Sequence, residues 1–244
     1  RMYNCHNTLI RNYLKLWGIK IRSNGEAHKR YTLDETYFEK INTEDKAYFL
    51  GLLYADGCVT SNRINISLID SELNILKNFQ KYLNYYNPIY FNSKETEKRF
   101  NNKDSYRLTV YSKKLSKDIS ELGCVPRKTY ILKFPTEEQV PNPLVHHFIR
   151  GYFDGDGCIY TYSWKKPKSS TIIFVSSKIF CLGLKKYIES NFDIKCYIYD
   201  KANNIAELRV FGIKKVLKIL DFLYKDSINF FDRKKEIYEK LKLI

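Results

Sequence analysis

A short pattern that occurs twice constrains this chain more than any other feature of its sequence. Residues 49–57 read FLGLLYADG, and residues 149–157 read IRGYFDGDG. Each copy is an apolar stretch with one glycine in its interior and another at its end, which is typical of the last turns of a helix. We expect the terminal glycines, Gly57 and Gly157, to take the left-handed conformation that ends many helices. The two copies therefore predict two helices of the same design.

The glycine inside each copy indicates how the two helices pack. Gly51 and Gly151 occupy helix-interior positions, where glycine costs roughly 1 kcal/mol relative to alanine. Because glycine has no Cβ, a second backbone can approach it closely. We therefore expect Gly51 and Gly151 to form the seam between two helices that pack side by side.

An aspartate before each terminal glycine points to a metal site. Asp56 and Asp156 are 100 residues apart (156 − 56 = 100). If the helices pack side by side, both carboxylates lie at the negative ends of helix dipoles and repel each other. A divalent cation with oxygen ligands relieves that repulsion. Asp56 and Asp156 are therefore the predicted metal-binding and catalytic pair.

The sequence after each motif repeats as well, which predicts the fold class. Residues 63–68 alternate, with Ile64, Ile66 and Leu68 on one face of a strand, and LTVYS (108–112) matches LRVFG (208–212). We predict an α+β fold made by pseudo-twofold duplication of an αββαββα unit. The predicted first half has helices at 44–56, 70–83 and 115–122 and strands that include 63–68, 88–94 and 106–111. The predicted second half has strands at 158–163, 171–177, 194–200 and 206–211, helices at 178–190 and 214–224, and a closing helix at 231–243.

The same reading divides the chain into five parts. Residues 1–24 resemble the second half of a helix-turn-helix, with a helix over 8–17, and are interpreted as its remnant. An amphipathic helix on the main domain is the alternative for this segment. Thr43 is the predicted N-cap of the first motif helix. The predicted linkers are 25–42, which is polar and basic, and 135–143, and the predicted half-domains are 43–134 and 144–244.

The composition favours a polyanionic partner. The chain of 244 residues carries 42 Lys+Arg against 27 Asp+Glu, a formal net charge of +15. Nucleic acid is favoured over a membrane, because the sequence has no long uncharged apolar run. The six cysteines form no C-x-x-C pair, so free thiols and a reducing intracellular compartment are expected. Cys58 and Cys158 are predicted to be small buried residues that open strands.

The two motifs, with the order of elements that follows them, resemble those of the LAGLIDADG homing endonucleases in their single-chain form. The resemblance implies two four-stranded antiparallel sheets that form a DNA-binding saddle, with the motif helices at the seam. It implies a monomer that cuts both strands of double-stranded DNA at a long site. It also implies Mg²⁺, with Mn²⁺ or Ca²⁺ as substitutes, held by Asp56 and Asp156 with the preceding residues Ala55 and Gly155.

Two lysines are the next catalytic candidates. Lys128 and Lys234 stand in matching Arg-Lys pairs, 72 and 78 residues after the aspartate of their own half (128 − 56 and 234 − 156). Members of the family often carry a basic residue of this origin beside each scissile phosphate, where it stabilises developing negative charge. Asp154 has no counterpart in the first motif, where Tyr54 stands, which argues against a catalytic role for it.

The solvent face of each predicted sheet carries the candidates for DNA contact. A β-ribbon fits the major groove, where arginine reads guanine and asparagine reads adenine. Loop lysines would hold phosphates. The candidates in the first half are Arg63, Asn65, Ser67, Lys94, Arg107, Thr109 and Tyr111, and those in the second half are Lys165, Lys166, Lys195, Tyr197, Tyr199 and Arg209.

Two other functions are compatible with the same scaffold. One is an RNA-binding maturase, with intron RNA as its partner, and the other is a DNA-binding regulator without nuclease activity. Retention of both aspartates and both seam glycines disfavours the regulator. An intein is disfavoured because the chain neither begins with Cys or Ser nor ends in His-Asn. The sequence leaves open the target site, the host element and the choice between a bacterial or phage cytoplasm and an organelle.

Overall fold

The computed structural model of this chain describes residues 7–19, 31–93, 104–162 and 169–243. They divide into two compact units, one before and one after the boundary between Thr32 and Leu33. In the first unit, helix α1 (Asn7–Leu16) covers most of the helix that the sequence predicts over 8–17. Its origin as a helix-turn-helix remnant stays a prediction. Of the helices described, none is both long and apolar enough to cross a membrane.

The second unit contains the same series of elements twice, so the predicted αββαββα duplication is confirmed. The first series is α2 (Glu44–Asp56), β1 (Gly57–Val59), β2 (Arg63–Ile69), α3 (Leu73–Tyr82), β3 (Tyr90–Asn92), β4 (Ser105–Tyr111) and α4 (Lys113–Glu121). The second is α5 (Val145–Asp156), β5 (Gly157–Tyr162), β6 (Ser169–Ser177), α6 (Lys178–Phe192), β7 (Tyr197–Asp200), β8 (Ile205–Phe211) and α7 (Ile213–Tyr224), followed by α8 (Asp232–Lys242). Short 3₁₀ turns cover Asp70–Glu72, Lys128–Tyr130 and Asn142–Leu144.

Each series forms one four-stranded antiparallel sheet, with strand orders β1-β2-β4-β3 and β5-β6-β8-β7. The two sheets have corresponding registers, because Gly57 pairs with Ile66 and Gly157 pairs with Phe174. Alternate strand residues are buried beneath the helices, and the other residues form an open face on each sheet. The buried residues of the central strands include Ile64, Ile66, Leu68, Leu108, Val110, Ile172, Phe174, Leu208 and Val210.

The predicted left-handed cap at the end of each motif helix is wrong. Gly57 has φ −75° and Gly157 has φ −93°, both in the extended region, because a strand begins there without a turn. Close packing explains these glycines instead. A Cβ on Gly57 would lie 2.5 Å from the carbonyl oxygen of Leu53, and one on Gly157 would lie 2.1 Å from a ring carbon of Phe153.

Two expectations about the start of the main domain also need correction. The predicted linker 25–42 does not extend to 42, since Tyr37, Phe38 and Ile41 are at most 4% exposed and belong to the core. Their spacing is too irregular to stand out in a polar segment. Thr43 does occupy the N-cap position of α2, but its side chain makes no capping hydrogen bond.

Cys58 and Cys158 open strands as expected, but both side chains are exposed rather than buried. Each follows a glycine on the core side of the sheet, so strand alternation turns the next side chain to the open face. All five cysteines in the described residues are free thiols.

Candidate functional site

Helices α2 and α5 are in backbone-to-backbone contact. A Cβ on Gly51 would lie 2.0 Å from the carbonyl oxygen of Phe148, and one on Gly151 would lie 2.0 Å from that of Tyr48. The two contacts are related by the pseudo-twofold. Gly51 and Gly151 are 100 positions apart (151 − 51), and so are Tyr48 and Phe148, whose carbonyl oxygens they meet (148 − 48). A residue with a Cβ at either glycine would therefore push the helices apart.

This packing brings the C-terminal ends of both motif helices together. A Cβ on Gly155 would lie 2.8 Å from Oδ2 of Asp56, so the carboxylate at the end of α2 rests against the last turn of α5. Asp56 and Asp156 are both exposed residues, although the neighbouring atoms at the two helix ends reduce the hydration of their carboxyl groups. Solvent and a ligand can therefore reach the pair.

The surroundings of the two aspartates disfavour their charged forms. Loss of hydration, with the like charge of Asp156 added, raises the pKa of Asp56 to about 6. Loss of hydration also raises the pKa of Asp156 above its usual value. Lys128 and Lys234 act in the opposite direction on both carboxyl groups. A cation placed between the carboxylates would stabilise their ionised forms.

The structure places Lys128 and Lys234 equivalently, each at the end of the motif helix of its own half. The ammonium of Lys128 lies 2.6 Å from the carbonyl oxygen of Gly57, and that of Lys234 lies 2.6 Å from the carbonyl oxygen of Gly157. Both lysines therefore cap helix ends whose carbonyls have no partner within the helix.

The two lysines differ in how fully they are engaged. Lys234, on α8, is 4% exposed and donates to three carbonyls, those of Phe153, Asp154 and Gly157. Burial lowers its pKa to about 8. Lys128 is half-buried and donates to two carbonyls. An ammonium has three N–H groups, so Lys128 has one more to offer to a ligand.

The pair of aspartates fits a hard divalent cation. Mg²⁺ is commonly bound by one or two carboxylates together with phosphate oxygens of the substrate. Across residues 7–19, 31–93, 104–162 and 169–243 there is no group of three or more His, Cys, Asp and Glu side chains that could hold a metal alone. A cation at the helix ends would thus take part of its ligand set from a phosphate and water. Gly155, which has no side chain, leaves the Asp56 carboxylate room at this position.

Several polar residues near the seam have structural roles. Asp154 is fully buried, and its Oδ2 accepts hydrogen bonds from the Tyr48 hydroxyl at 2.8 Å and the Phe231 amide at 2.9 Å. His147 is buried and its Nδ1 lies 2.8 Å from Nη1 of Arg150. Both side chains are therefore engaged in buried contacts within the protein, and a non-catalytic Asp154 stays a prediction.

The open face of the first sheet presents the polar residues that the sequence selects. Arg63 and Tyr111 are exposed cross-strand partners. Nε of Arg107 donates to Oγ of Ser67 at 3.2 Å. Thr109 is only 7% exposed, and its hydroxyl donates to Oδ1 of Asn65 at 2.8 Å. Thr109 is thus placed to orient the amide of Asn65 rather than to contact a ligand itself. The oxygen of the Asn65 amide is the atom engaged by Thr109, which leaves the amide N–H groups for a ligand.

Comparison with known proteins agrees with this architecture. The model of the LAGLIDADG-like domain family matches residues 43–122 and 144–234, which together make up more than half of the chain. The chain belongs to the LAGLIDADG family. A search of curated protein sequences found no significant match.

Solved structures share the LAGLIDADG fold at low sequence identity. The homing endonuclease I-WcaI bound to its DNA recognition sequence is 15% identical, with a TM-score of 0.55, over 98% of this chain and 94% of that one. I-SmaMI, bound to uncleaved DNA in the presence of calcium ions, is 12% identical, with a TM-score of 0.53, over 83% and 90%. Full-length DUF199/WhiA from Thermatoga maritima is 19% identical, with a TM-score of 0.50, over 87% and 66%.

The open face of the second LAGLIDADG sheet differs from what the sequence suggests. Arg209 is not free, because its Nε donates to Oε2 of Glu207 at 2.8 Å and its guanidinium lies 4.8 Å from the Tyr199 ring centre. Tyr197 and Tyr199 are exposed on β7, and Lys195 lies just before that strand with its ammonium 5.4 Å from the Tyr197 ring centre. Three predicted loop contacts, Lys94, Lys165 and Lys166, lie outside the described residues.

Sequence reasoning missed part of this open face. Tyr160 and Tyr162 on β5 and Phe211 on β8 are exposed there, as are Cys58 and Cys158 beside the aspartates. Period-two alternation through residues 158–162 is the signal that could have found the two tyrosines.

Proposed function

We propose that this LAGLIDADG protein is a monomeric, Mg²⁺-dependent, site-specific DNA endonuclease that cuts both strands of a long recognition sequence. The observation that carries the proposal is the pair of exposed aspartates, Asp56 and Asp156, brought together at the ends of two helices that only glycines allow to pack so closely. One aspartate from each half allows one centre to serve both strands of a duplex.

Asp56 and Asp156 would hold the cation. When bound, Mg²⁺ would neutralise negative charge on the scissile phosphate and activate water for attack. The residues Ala55 and Gly155 were expected to contribute as well. The carbonyl oxygen of Ala55 already accepts a hydrogen bond from Lys128 at 3.2 Å, so the two carboxylates are the main protein ligands in this proposal.

Lys128 would act directly on the substrate. It lines a cleft of about 260 Å³ together with Asp156 of the other half, and one of its three N–H groups is available in that cleft. A phosphate oxygen or the attacking water placed there would accept a hydrogen bond from Lys128. Lys234 has its three N–H groups engaged. It would contribute a fixed positive charge that supports the ionised form of Asp56.

Duplex DNA is the substrate that the rest of the molecule favours. The net charge of +15 suits a polyanion, and the open faces of both sheets adjoin the aspartates, since β1 and β5 begin at the next residue. The related homing endonucleases I-WcaI and I-SmaMI were solved with DNA. We expect DNA binding to weaken steeply with salt, because each phosphate that is neutralised releases counterions.

A bind-and-cut selection tests this function. A plasmid library with a randomised insert is incubated with the protein and Mg²⁺, and the linearised molecules are sequenced at their ends. The control is Asp56→Asn, a variant of the same shape that removes one charge from a repelling pair and should fold. We expect a single enriched sequence with wild type and none with the variant.

DUF199/WhiA shares this fold with the homing endonucleases, so the fold alone does not establish hydrolysis. If wild type binds duplex DNA without cutting any library member, the chain is a DNA-binding regulator. If it cuts nothing and instead binds structured intron RNA more tightly than duplex DNA, it is a maturase.

A further inference from the structure

The open faces of the two sheets are chemically different although their strands match position for position. By the registers of β1 with β2 and β5 with β6, a residue of β2 corresponds to the residue 108 positions further along in β6 (174 − 66 = 108). Asn65 and Ser67 therefore correspond to Ile173 and Val175. Hydrogen-bonding side chains in the first half are replaced by aliphatic ones in the second.

Three charged side chains of the second face, those of Glu207, Arg209 and Lys201, are paired with each other, and the ammonium of Lys195 lies over the Tyr197 ring. Arg107 on β4 corresponds to Glu207 on β8, because Leu108 and Leu208 occupy equivalent places in the two registers. Glu207 accepts from Arg209 at 2.8 Å and lies 3.1 Å from the ammonium of Lys201. The guanidinium of Arg209 is therefore engaged by protein, and a carboxylate stands where the first face presents an arginine.

Aromatic and aliphatic side chains cover most of the second face. They are accessible, with exposed fractions of about two fifths to three fifths. The residues are Tyr160 59%, Tyr162 60%, Val175 37%, Tyr197 41%, Tyr199 42% and Phe211 39%. The first face also exposes Tyr90 and Tyr111, so the two faces differ chiefly at the positions of Asn65, Ser67, Ile173 and Val175. Exposed aromatic and aliphatic side chains grouped on one face mark an interaction site, so a ligand is expected to cover the second face.

The position of this face identifies the ligand. Strand β5 begins at Gly157, directly after Asp156, so the face is continuous with the proposed cleavage centre. A duplex held at the two aspartates would extend over both sheets. In the major groove, the apolar group that a base pair presents is the C5 methyl of thymine, whereas guanine and adenine are read by hydrogen bonds.

We propose that the two halves of this protein read DNA by different chemistry: the first sheet by hydrogen bonds, and the second by apolar contact with thymine methyl groups. This inference rests on the proposed DNA endonuclease function. It makes Ile173 and Val175 specificity-determining residues. The recognition site is then asymmetric, with conserved thymines on the side that the second sheet covers.

The test removes single methyl groups from the DNA. The site is first selected as bound duplexes in Ca²⁺, and each half is then resynthesised with deoxyuridine in place of thymidine, which removes the C5 methyl and preserves base pairing. In the half bound by the second sheet, we expect a loss of affinity of about fourfold for each contacted methyl, the factor that corresponds to one buried methylene-sized group. In the other half we expect little change.

Two reciprocal variants assign each half of the site to a sheet. The double variant Ile173→Asn with Val175→Ser gives the second face the residues that the first face has at Asn65 and Ser67. It should abolish the loss of affinity that deoxyuridine causes in the half of the site bound by the second sheet. Asn65→Ile with Ser67→Val does the opposite, and should create a deoxyuridine effect in the first half. Asn65, Ser67 and Ile173 do not line the cleft that contains Lys128 and Asp156, whereas Val175 does. The readout is therefore affinity in Ca²⁺ rather than cleavage, and the single variant Ile173→Asn is the check that leaves the lining of the cleft unchanged.

The outcomes separate this inference from the proposed function. Equal sensitivity to deoxyuridine in both halves, insensitivity in both, or variants that leave the pattern unchanged would overturn the inference and leave the endonuclease intact. If no duplex is selected, both fail. Preference for unpaired RNA that depends on the exposed tyrosines would also overturn it, since that result assigns the second face to base stacking.

Discussion

Replacement of Gly51 by alanine should separate the two motif helices. The added Cβ would lie 2.0 Å from the carbonyl oxygen of Phe148, whereas ordinary contacts begin near 3.4 Å, so the backbones must move apart by 1.4 Å (3.4 − 2.0). Overpacking of this kind costs about 1–3 kcal/mol or somewhat more. The better helix propensity of alanine returns up to about 1 kcal/mol. Because the added methyl meets backbone rather than a movable side chain, the overpacking cost lies at the upper end of its range, about 3 kcal/mol. We therefore expect the free energy of unfolding to fall by about 2 kcal/mol (3 − 1).

The same displacement should impair cleavage more than it impairs folding. Asp56 lies five residues further along the same helix, so it moves relative to Asp156. A misplacement of about 1 Å at a reacting centre can cost a factor of about 100 in rate. The assays are chemical denaturation for stability and the rate of plasmid linearisation in Mg²⁺ for activity.

Gly183→Ala on α6 is the control for this prediction. Its Cβ would meet the side chain of Phe134, with a closest distance of 2.5 Å, and no backbone atom within 3.4 Å. It should lose some stability and keep its cleavage rate. The double variant Gly51→Ala with Gly151→Ala should lower the free energy of unfolding by less than the sum of the two single variants. One separation of the helices accommodates both added methyl groups. An unchanged or increased free energy of unfolding for Gly51→Ala would refute the reasoning.

Three further predictions concern charged residues. Lys128→Met should leave the fold intact and slow cleavage of one strand about 10²–10³-fold, so that nicked circular plasmid accumulates on gels. Lys234→Met should instead lower the free energy of unfolding by about 3 kcal/mol in chemical denaturation, because three buried carbonyls lose their donor. Arg150→Leu should cost about 3–5 kcal/mol, since it leaves Glu44 partly buried without its ion pair, and addition of Glu44→Gln should recover part of that loss. Since the pKa of Asp56 is raised to about 6 in the folded protein, the folded chain binds more protons than the unfolded chain between about pH 4 and 6. The metal-free wild-type protein should therefore lose stability as pH rises through that window, and the Asp56→Asn variant should lose less. If the denaturation midpoint falls equally in the two proteins, the raised pKa of Asp56 is contradicted.

The duplicated architecture was predictable because two signals agreed along the whole chain. Alternation in residues 63–68 predicts which side chains of that strand face the core. The similarity between residues 108–112 and 208–212, together with the spacing of the two motifs, predicts the twofold relation of the halves. The close packing at Gly51 followed from the cost of glycine in a helix, which needs a compensating contact. Such local patterns determine element order without knowledge of tertiary contacts.

Other features depend on how side chains pack, which the pattern of residue types does not specify. A glycine at the end of a helix can be there for a left-handed cap or for close packing, and the sequence does not distinguish the two. At Gly57 the reason is packing, because a Cβ would meet Leu53. Phe38 lacked a periodic neighbourhood and was placed in a linker, although it is fully buried. Arg209 was predicted to read bases, but its guanidinium pairs with Glu207, two positions earlier on the same face of β8. Strand alternation brings the two side chains within reach, and only the structure shows that they pair.

The most direct test of the central claim is to locate a bound divalent cation. Crystals of the protein with its selected DNA duplex, grown in Mn²⁺, would reveal the metal by anomalous scattering. The account predicts a peak within ligand distance, roughly 2.0–2.6 Å, of carboxylate oxygens from both Asp56 and Asp156, next to a DNA phosphate. DNA bound across the two sheets with no metal at these aspartates would contradict it.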